Sequence, residues 1–256
     1  MYLEAASDLR LDYVHVTPDI NRGLASVEIL LNRIPDREVT LSLDVTLDGK
    51  KIRKVTTTTV NRNVTVTVDM DTRETFYPVA MWSPNYPALY DLRVQVWQEQ
   101  TMLDQVDTYF GMRKIEVRDG IVYLNNDRLY QRLILDQGYW VESHLTPPSE
   151  EALLKDITEM IEMGFNGARK HQKVEDERFL YYADILGYIV WAEMPSMYDN
   201  TEKSRAVFER EWLLSVVQQK NHPCILVWVP FNESWGIREV LTDKVQQDFV
   251  NEIYYK

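Results

Sequence analysis

The sequence predicts an all-β immunoglobulin-like sandwich followed by an α/β region, and two observations support this. Across about residues 8–112 apolar and polar residues alternate, which is typical of strands with one buried face. After about residue 113, short apolar runs alternate with segments in which apolar residues recur every three or four positions, as in amphipathic helices. We therefore predict a sandwich domain over residues 1–113 and a second domain over residues 114–256.

The alternation of the first region is clearest over residues 39–47, where every second residue is apolar. Asp48-Gly49 follows this run and is a hairpin signal. About seven strands over about 100 residues, without a convincing helix, are typical of an immunoglobulin-like sandwich. The cysteine and tryptophan that mark antibody domains are missing, so the prediction is a generic sandwich.

The second region is predicted to contain four strand–helix units, with strands at residues 129–135, 165–169, 188–193 and 225–231. Thr146 is the expected N-cap of the first helix, and Leu241 is expected to line the fourth. Near-continuous apolar strands between amphipathic helices predict a parallel sheet buried on both sides, either an open doubly wound sheet or part of a (β/α)8 barrel. A dinucleotide-binding fold would lack its Gly-rich phosphate cradle here.

Composition excludes several kinds of partner. The net charge of −12 repels phosphate backbones, so we expect no nucleic acid partner. No apolar run approaches the roughly 20 residues that span a bilayer, so we expect no membrane partner. The single cysteine, Cys224, excludes an internal disulfide and a multi-cysteine zinc site. The first residues lack the basic and apolar segments of a signal peptide, and the compartment is left unknown.

Polar residues follow three successive predicted strands, and the carboxyl ends of parallel strands share one edge. The candidates are Arg169 and His171 after strand two, Glu193 at the end of strand three, and Asn232, Glu233 and Trp235 after strand four. A glutamate in this place can act as a general acid. Alternatively, Glu233 stabilises a helix N-terminus, Arg169 forms a structural salt bridge, and His171 is a core or surface histidine. Trp235 is the best candidate for stacking on a ligand.

Residues 221–234 resemble the signature of glycoside hydrolase family 2, the β-galactosidase, β-glucuronidase and β-mannosidase group. In that signature Asn-His-Pro precedes Asn-Glu at the end of barrel strand four, as Asn221-His222-Pro223 precedes Asn232-Glu233 here. Further resemblances lie in Phe110-Gly111-Met112-Arg113 and in residues 82–90, 164–169 and 186–193. The resemblance covers nearly the whole chain. It implies that the sandwich is followed by the first half of a (β/α)8 TIM barrel.

The resemblance also implies roles for the candidate residues. Glu233 would be the catalytic acid/base, protonating the leaving glycosidic oxygen and then activating water. Asn232 would hydrogen-bond the sugar 2-hydroxyl, and Arg169 would orient the nucleophilic carboxylate. His171 and Glu193 would lie in or beside the sugar pocket.

The sequence departs from the family at two places near the site. Pro230-Phe231 stand where the family usually has a small residue before its Asn-Glu pair. The magnesium-dependent galactosidases carry Glu and His ligands shortly after the acid of strand three, whereas residues 194–198 here are Met-Pro-Ser-Met-Tyr. We therefore expect no metal at that position and no cofactor.

The retaining mechanism needs a second carboxylate about 5–5.5 Å from the first. The family supplies it from strand seven of an eight-unit barrel, and only four units are predicted here. The acids after Glu233 are Glu239, Asp243, Asp248 and Glu252, all expected on the fourth helix. We expect the isolated 256-residue chain to be inactive. We also expect it to form a homo-oligomer, or to contact its missing half, through the open side of the half-barrel.

The expected function is therefore retaining hydrolysis of terminal β-glycosidic bonds, with a carbohydrate as the partner. Asn-Glu-Ser-Trp-Gly at residues 232–236 resembles the β-galactosidase members, so a β-galactoside is the first substrate hypothesis. A β-glucuronidase and a non-catalytic carbohydrate-binding or structural fragment are the alternatives. An unrelated α/β enzyme with a nucleophilic serine would need a Gly-x-Ser-x-Gly turn, which the sequence lacks.

Overall fold

The computed structural model describes residues 5–73 and 79–256, which divide into two compact units, Met1–Leu129 and Tyr130–Lys256. Three short strands after residue 113 belong to the first unit, so the division falls later in the chain than the predicted domain boundary. Residues 1–4, which are part of the segment behind the signal-peptide expectation, lie outside the described residues. Within the described ranges, every helix is too short or too polar to cross a membrane.

The first unit contains mainly antiparallel sheets. In chain order its strands are β1 (Leu11–Asp19), β2 (Leu24–Leu31), β3 (Val39–Leu47), β4 (Lys50–Thr59), β5 (Asn63–Asp69), β6 (Trp82–Ser83), β7 (Tyr86–Pro87), β8 (Tyr90–Gln98), β9 (Thr101–Phe110), β10 (Ile115–Arg118), β11 (Ile121–Leu124) and β12 (Asp127–Arg128). One sheet has the order β1-β2-β5 and a second has the order β4-β3-β8-β9. Strands β6 and β7 pair with each other, and β10, β11 and β12 form a small third sheet.

The two larger sheets share one hydrophobic core, because alternate side chains of their strands are buried. Ala25, Val27 and Ile29 of β2 are fully buried, as are Leu41 and Leu43 of β3, and all belong to one cluster. Burying one aliphatic side chain of this size stabilises a fold by roughly 1.5–3 kcal/mol. The predicted sandwich of antiparallel strands is therefore confirmed. The hairpin signal is confirmed as well, since Asp48 and Gly49 connect β3 to β4 with φ of 50° and 74°.

The second unit alternates strands and helices. Its elements are β13 (Leu133–Asp136), α1 (Glu150–Glu162), β14 (Gly167–Lys170), α2 (Glu177–Leu186), β15 (Ile189–Glu193), α3 (Glu202–Gln219), β16 (Ile225–Val229) and α4 (Lys244–Tyr255). The four strands are parallel and lie in the order β13-β14-β15-β16, which is their order in the chain. The four predicted strand–helix units are thus present, with strands shorter than the apolar runs that predicted them.

Two predicted helix boundaries are wrong. Thr146 does not cap α1, which begins at Glu150 with the Ser149 hydroxyl accepting a hydrogen bond from the Ala152 backbone N–H at 3.2 Å. Thr146 and Pro147 each precede a proline, and a residue before proline is disfavoured in the helical conformation. Leu241 does not line α4 but is 90% exposed in the turn before it, because Asp243 caps the helix.

Gly167 sits where three strands of the parallel sheet approach one another closely. Its register partners are Leu133 on one side and Ile189 on the other. A Cβ at this position would lie 2.3 Å from the Ile189 carbonyl oxygen and 2.7 Å from a methyl carbon of Leu133. The backbone of Ile189 cannot move away from an added Cβ as a flexible side chain could, so the sheet requires glycine at this position.

We predict that Gly167→Ala destabilises the chain by roughly 1–3 kcal/mol, because the added methyl group overpacks the sheet. Urea unfolding followed by far-ultraviolet circular dichroism measures the loss. Gly49→Asn is the matched control, since nothing lies within 4 Å of a Cβ added in that exposed turn. An unfolding midpoint of Gly167→Ala equal to that of the control would contradict the close approach.

Candidate active site

The strand register brings the predicted site residues from different strands to one face of the parallel sheet. Arg169 of β14 is the register partner of Trp191 on β15. Glu193 lies two residues after Trp191, so its side chain projects from the same face. Glu193 is in turn the partner of Val229, the last residue of β16, and Asn232 follows three residues later.

The Arg169 guanidinium joins these elements. Its Nε donates to Oε2 of Glu193 at 2.6 Å, and its Nη2 donates to Oδ1 of Asn232 at 2.7 Å. The other oxygen of Glu193 accepts the backbone N–H of Gln172 at 3.0 Å. Glu193 is only 1% exposed, and a carboxylate buried this deeply requires such partners. We call Arg169, Glu193 and Asn232 the arginine triad.

The arginine triad leaves two hydrogen-bond donors without a partner among the described residues. They are Nη1 of Arg169 and Nδ2 of Asn232. The orientation of the Asn232 amide is determined by chemistry, because a guanidinium only donates and must face the amide oxygen. Its NH₂ group is therefore the part left for a ligand. The site presents donors, which suits hydroxyl and carboxylate oxygens.

Glu233 follows the arginine triad directly in the chain, in a turn after β16. Its side chain is exposed and makes no hydrogen bond or ion pair with any described residue. Its φ of 53° is left-handed, a conformation that few non-glycine residues adopt. Glu233 is thus a carboxyl group available to a ligand, beside a fixed set of donors.

His171 and Trp235 do not join the arginine triad by any described contact. Nδ1 of half-exposed His171 lies 3.1 Å from Nε2 of Gln137, and its backbone N–H donates to the Asp136 carbonyl at 2.7 Å. Trp235 is 48% exposed, with Cζ of Arg238 5.1 Å from its ring centroid. Both residues follow strands of the same sheet, and their predicted roles in substrate binding stay predictions.

The sequence analysis missed Gln137, Gln172 and Arg238. Gln137 and Gln172 lie just after β13 and β14, and the side chain of Gln172 accepts the backbone N–H of Ser196 at 3.1 Å. The sequence could have indicated these two glutamines only by their position after a strand, because an uncharged amide side chain does not mark a site by its charge. Among the described residues, no three His, Cys, Asp or Glu side chains gather in a way that could hold a metal ion. The expected absence of a metal stays a prediction.

The Asn-His-Pro motif before β16 has a structural part. Nδ1 of His222 lies 2.6 Å from Oδ2 of Asp184, and Nε2 lies 3.0 Å from Oε2 of Glu177. Burial disfavours the charged imidazole, but the hydrogen bonds to Asp184 and Glu177 outweigh it and raise the pKa of His222 to about 9. A protonated His222 thus connects both ends of α2 to the turn that enters β16.

Comparison with known proteins shows which family and which relatives this chain resembles. Residues 9–113 match the family described as Glycosyl hydrolases family 2. A beta-galactosidase of Thermoanaerobacter pseudethanolicus is 26% identical over 228 residues, covering 82% of this chain and 31% of that protein. A putative beta-glucuronidase of Formosa agariphila is 27% identical over 166 residues, covering 61% of this chain and 19% of that protein.

Solved structures agree in fold. The apo structure of Bacteroides uniformis beta-glucuronidase 3 superposes with a TM-score of 0.77 at 19% identity, covering 96% of this chain and 31% of the other. A beta-glucuronidase from Ruminococcus gnavus in complex with D-glucuronic acid gives 0.79 at 14% identity, covering 97% and 40%. The family match and the named relatives confirm the resemblance to glycoside hydrolase family 2. The chain spans less than half the length of these relatives.

We predict that His222 makes stability depend on pH. Because the pKa of His222 is raised on folding, its contribution is complete below about pH 6.5 and is lost as the pH rises through about 9. The difference in unfolding free energy between wild type and His222→Gln should be roughly 3 kcal/mol at pH 6 and much smaller at pH 10. Urea unfolding across that range measures it. His144→Asn, which removes an exposed histidine, is the control. A difference in unfolding free energy between wild type and His222→Gln that stays constant with pH would contradict the raised pKa.

Proposed function

We propose that this chain is part of a retaining glycoside hydrolase that cleaves terminal β-glycosidic bonds, with Glu233 as its acid/base. The observation that carries the proposal is the exposed, unpaired Glu233 next to the arginine triad. A general acid must reach the leaving oxygen, and this carboxyl group is not committed to any described partner. Relatives named beta-galactosidase and beta-glucuronidase support the reaction class.

The free donors suggest the roles of the other residues. Nδ2 of Asn232 would donate to the sugar 2-hydroxyl, and Nη1 of Arg169 would hold the nucleophilic carboxylate. Glu193 would keep Arg169 in place, because both of its oxygens are already hydrogen-bonded. His171 would lie in the sugar pocket and Trp235 would stack on substrate. The chain itself would need no cofactor for this chemistry, since two carboxyl groups suffice.

Strand order supports a half-barrel for the second unit. A doubly wound sheet reverses its strand order at a switch point, whereas β13, β14, β15 and β16 lie in chain order. We propose that residues 114–256 form the first half of a (β/α)8 barrel after an immunoglobulin-like domain over residues 1–113. Among the described residues β13 and β16 have free edges, and Leu135 is 62% exposed. Such edges favour association between copies or with further barrel strands.

The nucleophile is proposed to lie outside this set of residues. A retaining enzyme needs a carboxylate about 5–5.5 Å from the acid/base. Two of the four acids after Glu233 lie outside the helix predicted for them, because Glu239 lies in the turn before α4 and Asp243 caps that helix. Asp248 and Glu252, on α4, pair with Lys244 and Lys256. The isolated chain would therefore lack turnover.

The test is to assay the complete gene product on aryl β-galactosides with leaving groups of different acidity. Glu233→Gln should lower the rate on phenyl β-galactoside about 10²–10⁴-fold, because that leaving group requires protonation. The loss on 2,4-dinitrophenyl β-galactoside should be much smaller, because that phenolate leaves unaided. Glu239→Gln removes a neighbouring exposed carboxylate and should change neither rate.

Several outcomes would overturn parts of the proposal. Equal losses on both substrates would remove Glu233 from acid catalysis. Hydrolysis of phenyl β-glucuronide in preference to the galactoside would replace the substrate by the alternative. Binding of sugar without turnover in the complete protein would favour a non-catalytic module. Turnover by the isolated 256-residue chain, with a monomeric mass by light scattering, would refute both the missing nucleophile and the association.

A further inference from the structure

Trp235 and Arg238 form an exposed pair on the turn that follows Glu233. The guanidinium lies over the indole, with 5.1 Å between Cζ and the ring centroid, and Trp235 is 48% exposed. Arg238 is exposed and forms no ion pair with any described residue. Both groups of the pair can therefore contact a ligand.

Contacts with the segment after β15 hold this turn in place. The Gly236 carbonyl accepts the side-chain amide of Asn200 at 2.7 Å, and Asn200 itself accepts from Arg205 at 2.6 Å. Gly236 has φ of 78°, and a Cβ there would lie 2.9 Å from the Met197 carbonyl oxygen. The backbone beside Trp235 is thus closely packed. An exposed indole on a fixed backbone is preorganised for stacking.

Ile237, two residues after Trp235, anchors the turn in the hydrophobic core. Ile237 is 3% exposed and packs in a cluster with Phe208 and Phe249. The turn therefore contributes Ile237 to the core and presents Trp235 and Arg238 to solvent. A large aromatic side chain in this position has a partly apolar surface that a ligand can cover.

We propose that Trp235 and Arg238 form the subsite for the leaving group, and that this subsite favours an aromatic leaving group carrying a carboxylate. The inference rests on the proposed function, because a general acid at Glu233 would contact the leaving oxygen. Asn232, which precedes Glu233, is assigned to the sugar, and we place Trp235 and Arg238, which follow Glu233, on the leaving-group side of the bond. The indole stacks on the ring of the leaving group, and the guanidinium pairs with its carboxylate. A planar guanidinium suits both contacts better than an ammonium group does.

The test compares two ligands of equal size that differ in charge. The 4-carboxyphenyl and 4-carbamoylphenyl β-galactosides are titrated into the 256-residue chain, with binding followed by ligand-observed NMR. Wild type should bind the carboxylate about threefold more tightly, as expected for an exposed ion pair, and less so in high salt. Arg238→Gln should abolish the preference without weakening carboxamide binding. Trp235→Ala should weaken both ligands, by roughly tenfold through the lost stacking.

A matched variant separates the local charge from the charge of the whole protein. Arg37→Gln removes an exposed arginine from the first unit and should keep the wild-type preference. Arg238→Lys keeps the positive charge and should retain only part of the preference for the carboxylate ligand. Equal affinity of wild type for both ligands, or an equal effect of Arg37→Gln and Arg238→Gln, would overturn the proposal.

The free leaving groups distinguish failure of this subsite from failure of the proposed function. 4-Hydroxybenzoate and 4-hydroxybenzamide are titrated alongside the glycosides. If the glycosides bind more tightly than the free phenols but show no charge preference, the sugar site stands and the subsite is refuted. If the free acid shows an Arg238-dependent preference, and the sugar adds no affinity in the complete gene product either, the anion-binding pair stands and the glycosidase proposal fails.

Discussion

The ion pair between Arg169 and the buried carboxylate of Glu193 is the interaction on which the candidate site depends. It joins β14 to β15, and the second bond of the guanidinium, to Asn232, joins both strands to the turn after β16. A buried carboxylate that loses its partner is strongly destabilising, so these positions are coupled. In these hydrogen bonds the oxygens of Glu193 and Asn232 accept, so the groups of the arginine triad that remain available to a ligand are N–H donors. The chemistry of the site thus follows from how one buried charge is neutralised.

Strand β14 carries a second cation next to the first, and the alternation of the strand sends the two to opposite faces. Lys170 is 2% exposed, pairs with Asp136 and with Glu175, and lies 4.1 Å from the centroid of the Phe179 ring. Burial, with the neighbouring Asp136, raises the pKa of Asp156 close to this cluster. Arg169 organises the polar rim, and Lys170 connects the strand to the layer that contains α2.

In the signature at residues 221–234, the part before β16 makes structural contacts and the part after β16 contributes to the candidate site. His222 bridges Glu177 and Asp184 and sets the entry into β16, while Asn232 and Glu233 follow the exit of that strand. Because β16 has only five extended residues, fixing its first residue also fixes the position of its last residue closely. The structural half therefore supports the polar half, although no described contact joins His222 to Glu233.

The sequence by itself determined the order of elements, because the periods of two and of three to four residues are local properties of strands and amphipathic helices. It also singled out Arg169, Glu193, Asn232 and Glu233 as candidate site residues, since polar residues after apolar strands are visible in the chain. It misplaced the start of α1 and the position of Leu241, where prolines and the Asp243 cap decide the boundary. Only the tertiary structure decided which donors remain free, that Lys170 is buried, and that Trp235 meets Arg238. These depend on register and side-chain packing between segments distant in sequence, which no local pattern encodes.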